Sequence, residues 1–303
     1  MSNLATEQHD ELRPLMFSIA YRMLGSVAEA EDIVQDAFVR MVDTPPTEVR
    51  SPEAYASTVT TRLAIDHLRS ARVRREKYVG SWLPEPLFTE VRETDPAAKA
   101  ELSDTLSMAF LVLLESLSPV ERAVFLLREV FSYDYDQIAS IVDKSEANCR
   151  QIFARARQRI ADRRPRFEAS RERREELARR FAAASESGDT AALEQLLAHD
   201  VTFYADGGGK APAVTQPVSG TIRVARFIIG IARQLRALNG RLEPAEVNGQ
   251  PGFRLVDADG RLGAVLELTI VDGHIHELRN VLNPDKLGHL GPLVDPADLP
   301  GRR

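Results

Sequence analysis

The stretch from Asp134 to Arg159 constrains this chain most, because it combines two helical apolar periods with a connection of only a few residues. Ile138, Ala139 and Val142 give a first helix its apolar stripe, Asp143 and Lys144 form the turn, and Ser145 stands where a second helix needs an N-cap. On a helical projection of the second helix, Cys149, Ile152, Phe153, Ala156 and Ile160 share one face. Ala147, Arg150, Gln151, Ala154, Arg157 and Gln158 share the opposite one. Alanines let a backbone approach a major groove, while arginine and glutamine reach base edges or phosphates. The pattern predicts a DNA-reading helix-turn-helix with Lys144, Ser145, Ala147, Arg150, Gln151, Ala154 and Arg157 at the contact. A helical hairpin with a solvated basic face has the same outline, so the remaining sequence has to decide.

The net charge of -6 opposes nucleic-acid binding only if it is evenly spread, since phosphates respond to local clusters. Two basic islands stand out. Arg62, Arg69, Arg72, Arg74, Arg75 and Lys77 are set against Asp66 and Glu76, and Lys144 to Arg166 holds eight cations against Glu146 and Asp162. The single cysteine, Cys149, excludes an internal disulfide, and the scattered histidines have no zinc-ligand spacing, so neither a metal nor a cofactor is expected. No apolar run is long enough to cross a bilayer, and the polar N-terminus lacks a leader pattern; the expected location is the cytoplasm, with no membrane partner.

Punctuation divides the chain into blocks. Residues 8–80 read as helices: Ser26 and Glu29 form a capping-box pattern for a helix ending near Asp43, and Ser51-Pro52 opens another with Tyr55, Val59 and Leu63 in period. Residues 81–100, with three prolines in SWLPEPLFTEVRETDPAA, read as a linker. Residues 101–166 resume helices, with Ser118-Pro119-Val120-Glu121 supplying N-cap, first-turn proline and capping-box glutamate. From 171 to 290 the composition predicts an α+β unit. It has two short helices around Gly188, a strand at VTFYA, and a helix with Val224, Phe227, Ile228, Ile231, Leu235 and Leu238 on one face. Antiparallel strands follow, with Asp272-Gly273 turning Leu262–Val271 into Ile275–Leu282. Residues 291–303 form a tail.

In AEAEDIVQDAFVRMV, Ile33, Val34, Ala37, Phe38 and Met41 lie on one face, and Asp32, Gln35, Asp36 and Val39 on the other. Asp32-Ile33-Val34-Gln35-Asp36-Ala37-Phe38 resembles the segment of bacterial sigma factors that binds the clamp helices of RNA polymerase. TRLAIDHLRSARVRR is similar to their -10 recognition segment, and the helix-turn-helix after Ser118-Pro119 to their -35-binding domain. The likeness is to the two-domain extracytoplasmic-function class and covers about residues 10–165. It implies core RNA polymerase and promoter DNA as partners. Polymerase would meet Asp32, Ile33, Gln35, Asp36 and Phe38. The -10 element would meet Arg62, Asp66, His67, Arg69, Arg72, Arg74 and Arg75, with Tyr78 and Trp82 as nearby stacking or packing groups.

The remainder resembles a subgroup with a fused SnoaL-like domain, on three signatures: Trp82-Leu83-Pro84-Glu85-Pro86, Asp206-Gly207-Gly208-Gly209-Lys210 and Asn283-Pro284-Asp285-Lys286-Leu287. The fold implied is two all-α sigma domains followed by an α+β cone. In that subgroup the extra domain is thought to replace a separate anti-sigma partner by controlling the sigma core from within, and an interdomain contact involving DGGGK and the NPDKL tail is expected here. Asp143 replaces the usual turn glycine, and Asn148 a usually small residue, so promoter preference does not carry over. Two other readings stand beside this one. The α+β domain could hold isomerase or hydrolase chemistry, with Tyr204, Asp206, His274 and His276 lining a pocket, or sense an unidentified small ligand. Alternatively, the chain regulates transcription without polymerase, which leaves the DIVQDAF helix idle.

Overall fold

The computed structural model describes residues 2–42, 51–75, 78–89, 105–161 and 170–299, with side chains at 2–9 and 71–75 outside the description. The chain forms two compact units, one of residues 1–77 and 111–164, the other of 78–110 and 165–303.

The first unit is helical. Its elements are α1 (Ser2–Leu24), α2 (Val27–Val42), α3 (Pro52–Arg75), α4 (Met108–Leu114, whose first turn belongs to the second unit), α5 (Pro119–Glu129), α6 (Tyr135–Val142) and α7 (Glu146–Ala161). The expected caps form: Ser26 Oγ accepts the Glu29 N–H at 3.1 Å, and Ser51 Oγ accepts that of Ala54 at 3.3 Å. Ser118 and Glu121 make the reciprocal capping box. A second, unexpected box joins Asp134 and Gln137 at the start of α6. Met16, Ile19 and Met23 of α1 are buried, as are Ile33, Val34 and Ala37 of α2 and Val59, Leu63 and Leu68 of α3. In the helix-turn-helix, Val124, Leu127, Ile138, Ile141, Cys149 and Ile152 close a separate core.

The second unit contains α8 (Arg171–Ser187), α9 (Thr190–Leu196), α10 (Thr221–Ala237) and a six-stranded sheet. The strands are β1 (Leu197–Asp206), β2 (Val218–Ser219), β3 (Arg241–Val247), β4 (Gln250–Val256), β5 (Leu262–Val271) and β6 (His274–Val281), in the order β2-β1-β6-β5-β4-β3. The α+β expectation holds, with differences. Gly188 does separate two helices, but α8 has 17 residues rather than one short turn or two. The strands after α10 pair antiparallel as expected, and β1, for which no direction was expected, runs parallel to β6. Leu238 lies beyond the end of α10, 48% exposed, and Ala225, Ile229 and Ala232 complete the buried stripe in its place. The turn at Asp272 and Gly273 puts both residues at positive φ, 46° and 75°, as a two-residue hairpin requires.

One face of the sheet packs on the helices through Phe181, Ile228 and Leu235 against Phe203, Phe253, Leu266 and Leu278. β5 is buried on both faces, apart from its last residue. The segment expected to be a linker continues the sheet at its β3 edge: Phe88 bridges Val247, Thr89 N–H donates to Glu246 O at 3.0 Å, and Asn248 N–H donates to Leu87 O at 2.8 Å.

Candidate nucleic-acid interface and linker clasp

In α7, the buried residues are Cys149, Ile152, Ala156 and Ile160, which leaves Ala147, Arg150, Gln151, Ala154 and Arg157 exposed on the opposite face. Lys144 and Ser145 are exposed at its start, and Ser145 Oγ accepts the Asn148 N–H at 3.3 Å. Asp143 takes the left-handed conformation, φ 53°, so an aspartate fills the role of the usual glycine. Arg150 is oriented twice over, 2.8 Å from Glu146 and 4.9 Å above the Tyr135 ring. Burial pushes the Cys149 thiol upward, which makes it a small hydrophobe rather than a reactive group.

On α2, Asp32, Gln35 and Asp36 are exposed and Phe38 is half-buried. Ile33, the fifth expected polymerase contact, is buried in the core of the unit. Gln35, Phe38, Val39 and Val42 line an open groove together with the Arg13–Glu31 ion pair, 2.6 Å.

The -10 candidates on α3 have varied surroundings. Arg62 donates from Nε to Ile141 O at 2.9 Å and from Nη2 to Ser140 O at 2.8 Å, so it is held on the end of α6. Asp66 pairs with Arg69 at 2.9 Å, and His67 Nε2 lies 3.1 Å from Glu29. The side chains of Arg72, Arg74 and Arg75 lie outside the described residues.

The three short signatures of the second unit meet around one carboxylate. Asp206, fully buried, accepts from Tyr78 OH at 2.5 Å, Leu83 N–H at 2.8 Å, Gly208 N–H at 3.1 Å and Lys286 Nζ at 2.8 Å. Lys286 also donates to Leu83 O at 2.5 Å and lies 4.4 Å from the Trp82 ring centroid. Asn283 Nδ2 donates to Tyr78 OH at 2.9 Å. Burial, then the Asp206 hydrogen bond, drives the Tyr78 hydroxyl far above its ordinary pKa, which keeps it a donor. Leu83, Pro84, Glu85 and Pro86 are buried, and Pro86 O is 2.8 Å from His289 Nε2. The glycines are spatially required. A Cβ on Gly207 would lie 2.4 Å from Ala211 O, and one on Gly208, at φ 56°, would lie 2.2 Å from Asn283 Nδ2. Gly209 and Lys210 are exposed, and Lys210 pairs with the exposed Asp285 at 2.6 Å.

A second clasp joins the same segment to β5 and to the β3–β4 turn. Glu267, fully buried, accepts the Met108 N–H at 2.9 Å and lies 3.5 Å from Arg279, which also bonds Thr269 and Glu277. Burial raises the Glu267 carboxyl to about 7. Asn248 accepts from Leu87 N–H and donates to Leu106 O, both at 2.9 Å. Neither Glu267 nor Asn248 is among the residues expected from sequence; a charged residue inside the apolar run LGAVLELTIV is the one signal available there.

The suspected catalytic group does not assemble. The cavity between sheet and helices is lined by Phe181, Ser185, Phe203, Ile228, Leu266, Asn280 and further apolar residues; Tyr204, Asp206, His274 and His276 do not line it. Tyr204 sits under Arg279, Asp206 is in the clasp, His274 is exposed and His276 is 3.5 Å from Asp200. Among the described residues no cluster suited to a metal ion occurs, and no helix is long and apolar enough to cross a membrane.

Residues 9–74 match the Sigma-70 region 2 family and residues 107–160 the Sigma-70, region 4 family. The chain is 36% identical to the ECF RNA polymerase sigma factor SigJ of Mycobacterium tuberculosis over 93% of both chains. It is 31% identical to the probable ECF RNA polymerase sigma factor SigI of the same species, over 93% of this chain and 97% of the relative. The crystal structure of Mycobacterium tuberculosis SigJ aligns with a TM-score of 0.74 at 33% identity, covering 93% of this chain and 98% of that one.

Proposed function

This chain belongs to the ECF RNA polymerase sigma factors, and from that membership we propose how its surfaces divide the work of initiation. Core RNA polymerase docks on Asp32, Gln35, Asp36 and Phe38 of α2. The -10 element is gripped by the basic end of α3, through Arg62, Asp66, His67, Arg69, Arg72, Arg74 and Arg75. The -35 element is read by Lys144, Ser145, Ala147, Arg150, Gln151, Ala154 and Arg157. The observation that carries this is the outward face of α7, where small, amide and guanidinium side chains stand opposite a fully buried stripe. No bond chemistry is involved; the protein contributes binding free energy that positions polymerase and stabilises an opened strand. The place of work is the cytoplasm.

Trp82 to Pro86, Asp206 to Lys210 and Asn283 to Leu287 serve regulation. They clamp the chain segment that connects the two helical halves, and the C-terminal domain thereby sets sigma activity and answers to an unidentified small ligand. Purification with core polymerase, lost on Asp36→Arg, tests the docking face. Run-off transcription from purified components tests the assignment as a whole, and truncation after residue 168 tests the C-terminal domain: unchanged output at equal protein level removes its regulatory role.

A further inference from the structure

The solvent face of α10 is cationic in a way the fold does not ask for. The helix carries four arginines, Arg223, Arg226, Arg233 and Arg236, and no aspartate or glutamate. Arg236 is tied down, donating from Nη1 to Glu186 O at 2.6 Å. Arg223, Arg226 and Arg233 are exposed and have no hydrogen-bond or ion-pair partner among the described residues. Exposed helices ordinarily interleave signs, because like charges one turn apart repel and opposite ones attract. α8 of the same unit does so: its five arginines stand among four glutamates, with Arg171 2.6 Å from Glu175 and Arg179 2.7 Å from Glu176. The chain as a whole is acidic, at -6, so the stripe does not reflect overall composition.

A glycine marks the middle of this face. Gly230 follows Arg226 by four residues and precedes Arg233 by three, which puts all three in one row along the helix. A glycine inside a helix is destabilising relative to alanine, and a Cβ at Gly230 would meet nothing within 4 Å beyond the helix's own backbone. Packing within the protein therefore does not require it. What it offers is a gap between two guanidinium groups through which another backbone can approach the helix. Gln234 and Ala237, both exposed, complete the surface. Small residues with arginine and an amide also make up the outer face of α7, at Ala147, Arg150, Gln151, Ala154 and Arg157.

We propose that α10 lies against the phosphate backbone of promoter duplex, with a sugar–phosphate strand crossing at Gly230 and Arg223, Arg226 and Arg233 bound to phosphates along it. The inference takes promoter DNA as the partner from the proposed sigma function and adds a contact outside the helical unit. Guanidinium forks bind phosphate oxygens two at a time, and every free cation of this face is an arginine. From Arg223 to Arg233 the helix rises about 15 Å, a length matched by roughly four phosphates of one strand at about 3.4 Å each. A contact of this kind positions the duplex without reading its bases. An acidic protein patch would match the charge but not the gap at Gly230, since carboxylates reach out on side chains whereas phosphates are part of the strand itself.

Anisotropy titrations of the polymerase-bound full chain on promoter duplex, repeated over a range of salt, test this. Arg223→Gln, Arg226→Gln and Arg233→Gln combined should lower the slope of log K against log salt by about 2.7, at roughly 0.9 per phosphate contact, for matched and mismatched sequences alike. Gly230→Gln should raise the melting temperature and yet weaken binding several-fold, a pairing that a glycine needed only for packing would not give. An iron chelate tethered at Ala237→Cys, where burial of Cys149 leaves the new thiol as the one that reacts, should cleave the DNA beside α10. An unchanged salt slope, or no cleavage, overturns the contact and leaves α10 a solvated face. Weaker recruitment of core polymerase with an unchanged slope overturns it in favour of a protein partner, and full-strength binding by Gly230→Gln overturns the crossing at Gly230. Run-off transcription keeps these results apart from the sigma assignment. A triple variant that starts transcripts with the salt dependence of the wild type sinks the present inference alone, whereas a wild type that starts none removes the sigma assignment and this contact with it.

Discussion

Lys286 and Asp206 form a buried ion pair at 2.8 Å, and that pair is the centre on which three separate stretches of sequence converge. A buried carboxylate is tolerable only when donors surround it, and Asp206 has four: a phenol, an ammonium and two backbone N–H groups. Removing it strands the ammonium of Lys286 in a site it cannot leave. Asp206→Ala should lower the unfolding free energy by about 3–5 kcal/mol. Lys210→Ala, which breaks an exposed pair with Asp285, should change it by less than about 1 kcal/mol. Urea denaturation of the two variants checks the contrast, and equal losses would show that the clasp does not depend on this carboxylate.

Gly208 offers a test of the same region through the backbone. Its φ of 56° opposes any side chain, and so does Asn283, whose Nδ2 lies 2.2 Å from the place a methyl group would take. Gly208→Ala should destabilise by about 1–3 kcal/mol and speed amide exchange at residues 78–83. Gly188→Ala shares the positive φ, 78°, but has open space around it, so its effect should be near ~1 kcal/mol with no change at the linker.

Much of this arrangement is legible in local sequence, because caps and helical periods act over a few residues. Ser118-Pro119-Val120-Glu121 needs no distant partner to start α5, and the alternate faces of α7 follow from 3.6-residue periodicity alone. The family resemblance also groups WLPEP, DGGGK and NPDKL, and these three do meet. What stays hidden depends on chain separation. Nothing near Glu267 announces that its carboxylate will cap a backbone N–H 159 residues away, and nothing in the local pattern of SWLPEP says that a proline-bearing stretch will donate a backbone N–H to the last residue of β1. Residue chemistry alone groups Tyr204, Asp206, His274 and His276, and the pleat sends them to different surroundings.

Glu267 makes the second unit sensitive to pH. Its folded carboxyl is raised to about 7 from an ordinary 4.5, chiefly by burial, so the folded state favours its neutral form. Stability from this group is complete below about pH 4.5 and is lost as pH rises through 7. Relative to Glu267→Gln, which does not titrate, the wild type should lose up to about 3 kcal/mol across that window and then level off. Paired melting curves from about pH 5 to 8 decide it; a constant difference would mean that Glu267 is ionised throughout.

Two arginines of α7 differ in preparation, and promoter binding should expose the difference. Arg150 is fixed by Glu146 and stacked on Tyr135, so its guanidinium is already aimed, as base reading demands. Arg157 is exposed and has no partner among the described residues, which suits a phosphate contact. In anisotropy titrations of the polymerase-bound protein on -35 duplexes, Arg150→Ala should weaken binding by about 1–3 kcal/mol and narrow the gap between matched and mismatched sites. Arg157→Gln should weaken all duplexes alike and reduce the slope of log K against log salt by about 0.9. Exchanged behaviour of the two variants would reverse their roles, and unchanged binding in both would remove α7 from the DNA.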